Sequence, residues 1–242
     1  MVKVFGRRRG RHVEIEAVVY RPSYERQTVN SPNPLARFAH RSRVTKSVAL
    51  AEKYLPQEGV VVDFGAGTGF FLSTLGDRRS DVALYAVEPT MPPCTDSRIH
   101  YVPNLESLRL EADLISAFEV CEHLTDAQLE QLLSDANQSI KTNGRLIISV
   151  PIMIGGALIL KELNRSLLFR RASEYSITEL LAGVFGRTVQ RPTNRGPTHK
   201  GFDFRWLRER VREHFSIEAE ILSPLPLPWW ANSQIFIVSR KL

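Results

Sequence analysis

Cysteine is scarce: there are two in 242 residues, Cys94 and Cys121, and their spacing suits neither a disulfide framework nor a thiolate metal site. Free thiols in a cytoplasmic protein are therefore expected. Long apolar runs are also missing, and none reaches the roughly 20 residues that a membrane-spanning helix needs. The first eleven residues are basic but lack the apolar core of a signal peptide. No internal repeat or low-complexity tract is visible. With 43% hydrophobic residues, the chain suits one well-buried domain with appendages.

Charge is unevenly distributed. Residues 1–56 hold 12 Lys/Arg against 4 Asp/Glu, residues 57–140 hold 4 against 14, and residues 141–242 hold 16 against 8. An acidic centre thus lies between basic flanks. Two readings stay open. The flanks are solvated surface, or they meet an acidic partner such as nucleic acid, a phosphorylated sugar or an anionic membrane.

The chain is richest in information at Val60-Val61-Val62-Asp63-Phe64-Gly65-Ala66-Gly67-Thr68-Gly69-Phe70-Phe71. Three valines read as a buried strand, the alternating glycines as a tight turn at a ligand, and residues 70–75 as the apolar start of a helix. A second apolar run, residues 82–87, ends in Glu88, 19 residues after Gly69. In open α/β sheets a carboxylate at that strand tip meets a ribose diol. Further strands are expected at residues 99–102, 112–118, 146–150, 217–222 and 234–239. Helices are expected over residues 34–55, 127–140, 178–185 and 206–215, and residues 140–145 read as the turn that closes the second of these. Residues 151–200 break the alternation and read as a helical lid. The division is an N-terminal basic extension over 1–33, with a hairpin as one option, and a main domain over 34–242.

Asp63-x-Gly65-x-Gly67-x-Gly69 resembles the first motif of class I S-adenosylmethionine (SAM) dependent methyltransferases, and the likeness runs over residues 45–150. It implies a Rossmann-like α/β fold with a seven-stranded mixed sheet and helices on both faces. It implies that SAM is the cofactor and S-adenosylhomocysteine (SAH) the product. By the same resemblance Asp63, Gly65, Ala66, Gly67 and Gly69 surround the methionine end and Glu88 takes the ribose. Asn104, where the family usually has Asp, and Leu105 flank the adenine, and Glu119 borders the cofactor.

Glu119-Val120-Cys121-Glu122-His123 follows the fourth strand at its C-terminal edge. If a helix begins there, positions i, i+3 and i+4 project Glu119, Glu122 and His123 to one side, as ligands for Mg²⁺ or Mn²⁺. With His199 they resemble the four-residue metal site of 3′-terminal small-RNA 2′-O-methyltransferases. The E-x-x-E-H part alone also resembles ubiquinone-pathway O-methyltransferases. Both likenesses imply an acceptor with adjacent oxygens. The alternative is metal-free, with His199 or His123 as general base and His40 a weaker choice.

Residues 147–160 are nearly all apolar and run into Lys161, Arg165, Arg170 and Arg171, while Leu225-Pro226-Leu227-Pro228-Trp229-Trp230 adds an aromatic pair. A lid and a packed loop explain these, as does an interfacial patch for a lipid or lipid-linked glycan acceptor, with peripheral membrane contact. The expected function is methyl transfer to a hydroxyl acceptor, with or without a metal. A lipid-linked or sugar acceptor and a non-catalytic SAM-binding module are the alternatives. RNA is a less favoured partner, because no RNA-binding domain is appended.

Overall fold

The computed structural model describes residues 34–242 apart from 90, 170–171 and 196–197. The extension expected over 1–33, with its hairpin, lies outside the described residues. Helix α1 (Pro34–Tyr54) leads into β1 (Val60–Phe64), α2 (Phe70–Arg78), β2 (Ala83–Val87), β3 (Ile99–Val102), β4 (Ala112–Phe118), α3 (Asp126–Ser139) and β5 (Ile140–Pro151). Then follow α4 (Gly156–Phe169), α5 (Ile177–Val184), α6 (Phe204–His214), β6 (Phe215–Ser223) and β7 (Gln234–Lys241).

The strands form one seven-stranded sheet in the order β3-β2-β1-β4-β5-β7-β6. Pairing is parallel from β3 to β5, and β7 runs antiparallel to both β5 and β6. This is the mixed Rossmann-like sheet expected from the sequence. Because side chains alternate across a strand, neighbouring residues serve opposite cores. Val61, Leu114, Ile147 and Phe236 pack with Val48 and Ala51 of α1 and Leu72 and Leu75 of α2. Val62, Ile115, Ile148 and Ile237 pack with Leu129, Leu132 and Leu133 of α3 and Leu207 and Val211 of α6. Both sheet faces are covered, as a parallel sheet requires.

One boundary differs from the sequence expectation. Ile140 does close α3, its amide donating to the Ala136 carbonyl, but residues 140–145 are no separate turn: they belong to β5, whose register jumps from Ala112↔Ile140 to Leu114↔Arg145. The extra residues loop out beside β4. Lys141 Nζ donates to both carboxylate oxygens of Asp113 at 2.8–2.9 Å. A Cβ on Gly144 would come within 2.7 Å of Ile140 Cγ1 and 3.0 Å of the Ala112 carbonyl oxygen. Glycine lets the bulge fold back against β4.

Candidate active site

The candidate residues gather at the C-terminal edge of the parallel strands, where open α/β folds place ligands. Gly65 has φ +73°, and a Cβ there would come within 2.4 Å of Val120 Cγ2. The turn after β1 therefore closes only with glycine. Its amide donates to the Val87 carbonyl at 2.8 Å, tying the turn to the end of β2. Asp63 is buried, and Ser116 Oγ donates to its Oδ1 at 2.7 Å. Burial pushes the Asp63 carboxyl up to about 7. The Ser116 hydrogen bond opposes that rise, and the Glu88 charge adds to it. The Glu88 carboxylate accepts from the amides of Gly67 at 2.8 Å and Met91 at 3.2 Å, so it folds over the glycine turn.

Asn104 caps a single 3₁₀ turn, Leu105–Ser107. Its Oδ1 accepts from the Ser107 amide at 2.8 Å and the Ser107 hydroxyl at 2.6 Å. This is the oxygen that the sequence resemblance assigns to an adenine amino group. Leu105 beside it is buried.

The segment after β4 is not helical. Thr125 supplies a capping box with Gln128, so α3 starts only at Asp126, and residues 121–124 form turns. The i, i+3, i+4 helical face expected for Glu119, Glu122 and His123 is therefore absent. Glu119 has φ +58° and its amide bonds to the Ser149 carbonyl of β5 at 2.9 Å. Its carboxylate accepts from Arg43 of α1 and from Gln234 Nε2 of β7, each at 2.8 Å. Glu119 is thus led away from the other two.

Glu122, His123 and His199 do come together, each with one donor atom within 4.8 Å of the others. The two histidine Nε2 atoms lie 3.2 Å apart, and Glu122 Oε1 is 3.9 Å from His199 Nε2. His123 Nδ1 lies 3.3 Å from the Arg195 carbonyl. A proton on Nδ1 satisfies that contact and leaves the Nε2 lone pair toward the cluster. Glu122 is fully buried, and neither carboxylate oxygen has a hydrogen-bond partner among the described residues. Burial raises its pKa well above the usual carboxylate range, and the Glu119 charge adds to this. Burial likewise lowers His199 to about 3, helped by His123 and the nearby Lys161, Arg43 and Arg191. The His199 imidazole is therefore neutral at neutral pH.

Several neighbours were not expected at the cluster, among them Lys161, which the sequence offered only as the basic end of an apolar run and which the fold buries. Lys161 Nζ donates to the carbonyls of Ile152 at 2.9 Å and Ser233 at 3.1 Å. Burial lowers its pKa to about 8 against the pull of Glu119 and Glu122. Arg191 donates to the Glu122 carbonyl and lies over the rings of Phe202 and Trp206. Arg43, Gln234, Lys161 and Arg191 sit in four separate elements or loops, and no local motif connects them. His40 belongs to α1, and the contacts of its side chain lie outside what is described.

The sequence model of the methyltransferase-domain family matches residues 35–180, more than half of the chain. The chain belongs to that family. It is a SAM-dependent methyltransferase. No curated protein matches this methyltransferase significantly. Among solved structures, a protein from Pyrococcus horikoshii OT3 superposes with a TM-score of 0.57 at 17% identity, covering 91% of this chain and 97% of that one. The magnesium protoporphyrin IX methyltransferase of Synechocystis PCC 6803, solved with SAH, gives 0.55 at 16% identity, covering 88% and 89%. The N-methyltransferase NodS of Bradyrhizobium japonicum WM9, also with SAH, gives 0.52 at 13%, covering 87% and 89%. At such identities the likeness shows the fold alone.

Proposed function

We propose that this methyltransferase moves the methyl group of SAM onto a hydroxyl oxygen seated against Glu122, His123 and His199. The observation that carries the reading is Glu122, a fully buried carboxyl whose two oxygens have no hydrogen-bond partner among the described residues and which lies beside two imidazoles. A purely structural site would not retain such a group without a partner, because leaving it unsatisfied costs about 1–3 kcal/mol.

Asp63, Gly65, Ala66, Gly67 and Gly69 hold the methionine end of SAM in this proposal, Glu88 the ribose, and Asn104 with Leu105 the adenine. Glu119, anchored by Arg43 and Gln234, borders the cofactor and braces the strand end. The acceptor oxygen attacks the methyl carbon in line with the sulfur. The C–O bond forms as the S–C bond breaks, the sulfonium becomes a neutral thioether, and the hydroxyl proton leaves to a base.

The donor set fits a divalent cation: one carboxylate and two imidazole nitrogens suit Mn²⁺ better than Mg²⁺, which prefers oxygen ligands. Glu122, His123 and His199 would hold it. A bound divalent cation supplies Lewis-acid chemistry, making an acceptor hydroxyl easier to deprotonate. In a metal-free reaction His199 or His123, both placed at the cluster, takes the proton at Nε2.

The test is calorimetric titration of Mn²⁺ into the SAH-bound protein, beside Glu122→Gln and His199→Ala variants. Binding in the parent that weakens about tenfold or more in each variant supports the proposal. Absence of binding in the parent removes the metal and leaves the histidine base.

A further inference from the structure

Asn104 leaves the sheet next to Glu88. The strands run in the order β3-β2-β1, and β2 pairs in parallel with β3 so that Val87 stands opposite Val102. Glu88 is the residue after Val87, and Asn104 is two residues after Val102. The cofactor is a linear molecule: methionine, then ribose, then adenine. With the methionine end on the glycine turn after β1 and the ribose on Glu88 after β2, the same line continues outward to the end of β3. The base then meets Asn104.

The orientation of the Asn104 side chain is fixed by its neighbour. A backbone N–H only donates, so the atom facing the Ser107 amide at 2.8 Å is the oxygen and not the nitrogen. The Ser107 hydroxyl donates to the same oxygen at 2.6 Å. A carbonyl oxygen offers two lone pairs, and these two contacts take both. The other end of the amide is Nδ2, a pure donor, and it has no hydrogen-bond partner among the described residues.

An aspartate here would cap the 105–107 turn with one oxygen and turn its second oxygen outward as an acceptor. Asparagine makes the same cap and turns out a donor in its place. The 6-amino group of adenine is also a donor in this respect, so Asn104 gives it nothing to bind. Asn104 is exposed, and water serves both groups without a burial cost. Nδ2 is left to donate to water or to a ring nitrogen, neither of which distinguishes adenine from a purine that lacks the amino group.

We propose that Asn104 makes this methyltransferase indifferent to the 6-amino group of its cofactor, so that analogues of SAM and SAH lacking that group bind nearly as well. The proposal rests on the placement of the ribose at Glu88 and the adenine at Asn104 given above. It is independent of the acceptor and of the metal.

The experiment is calorimetric titration of the full chain with SAH and with the SAH analogue carrying hydrogen in place of the 6-amino group. The parent and Asn104→Asp are compared. Asparagine and aspartate cap a helical turn about equally well, so the variant keeps the 105–107 turn, and an unchanged melting temperature checks this. The parent should bind the two ligands within about threefold of each other. Asn104→Asp should prefer SAH by about tenfold or more, because its outward carboxylate oxygen accepts a charge-assisted hydrogen bond from the amino group. A parent that prefers SAH by more than about threefold overturns the proposal, and if the variant alters that preference the adenine still lies beside residue 104. A variant whose preference equals the parent's also overturns it. If the variant's SAH affinity is unchanged as well, the placement of the adenine falls with it.

Discussion

His123 Nε2 and His199 Nε2 lie 3.2 Å apart although 76 residues separate them, with the buried Glu122 carboxyl beside the pair. The contact joins the strand end after β4 to the loop before α6. It converts one local motif and one distant histidine into a single candidate site.

Glu122 should be a liability to the unliganded fold. Its two oxygens are buried without hydrogen-bond partners among the described residues, so Glu122→Met, of similar length and apolar, should stabilise the protein by about 1–2 kcal/mol. The same change should abolish Mn²⁺ binding. Chemical denaturation and metal titration of the one variant check both; a loss of stability would show that the carboxyl has a structural partner.

Asp63 gives a pH dependence with a defined sign. Its pKa is 3.8 when unfolded and about 7 in the fold, so between these values the folded state holds the extra proton. Its contribution to stability is fully present below pH 3.8, falls as pH rises toward about 7, and is level above that. At roughly 1.4 kcal/mol per unit the fall amounts to a few kcal/mol. Asp63→Asn should flatten this part of a stability-against-pH curve measured by denaturant titration. The ionised form, favoured above pH 7, should also bind the cationic amino group of SAH more tightly in calorimetry.

With Glu88 holding the ribose as proposed, Glu88→Ala should weaken SAH binding by about 1–3 kcal/mol, roughly 5- to 160-fold, through loss of a charge-assisted hydrogen bond. The variant also releases the Gly67 and Met91 amides. Unchanged SAH affinity by calorimetry would place the ribose elsewhere.

Gly65→Ala combines a positive φ with a Cβ at 2.4 Å from Val120 Cγ2. It should destabilise the protein by about 1–3 kcal/mol and lower SAH affinity with it. Val120→Ala in the same chain should recover part of the stability, because it removes the atom that clashes. A thermal melt of the single and double variants separates steric strain from the backbone term.

Much of the architecture was legible because it rests on short-range patterns. The valine run, the glycine turn and Glu88 define β1, the turn and the tip of β2, and hydrophobic periodicity marks α3, α5 and α6 to within a few residues. The sheet edge where the candidate residues meet follows from the parallel order of those elements. The helix stop at Ile140 is legible, but the β5 bulge over 141–145 is not, because a turn and a strand bulge use the same small and polar residues. The Lys141–Asp113 pairing that separates them reaches across strands.

The candidate site was half legible. By itself the sequence determined the family, the α/β order and the identity of the polar residues at the strand ends, since each depends on neighbours within a few positions. Only the tertiary structure decided which carboxylate meets the histidines. Thr125 delays the helix, and Glu119 turns aside at φ +58° to Arg43 and Gln234, partners 76 and 115 residues away. Glu122 stays buried without a hydrogen-bond partner among the described residues, and His199 comes within 3.9 Å of it because the loop after α5 folds back over the end of β4. Hydrogen bonds and burial act through space, so residues far apart in the chain set those positions.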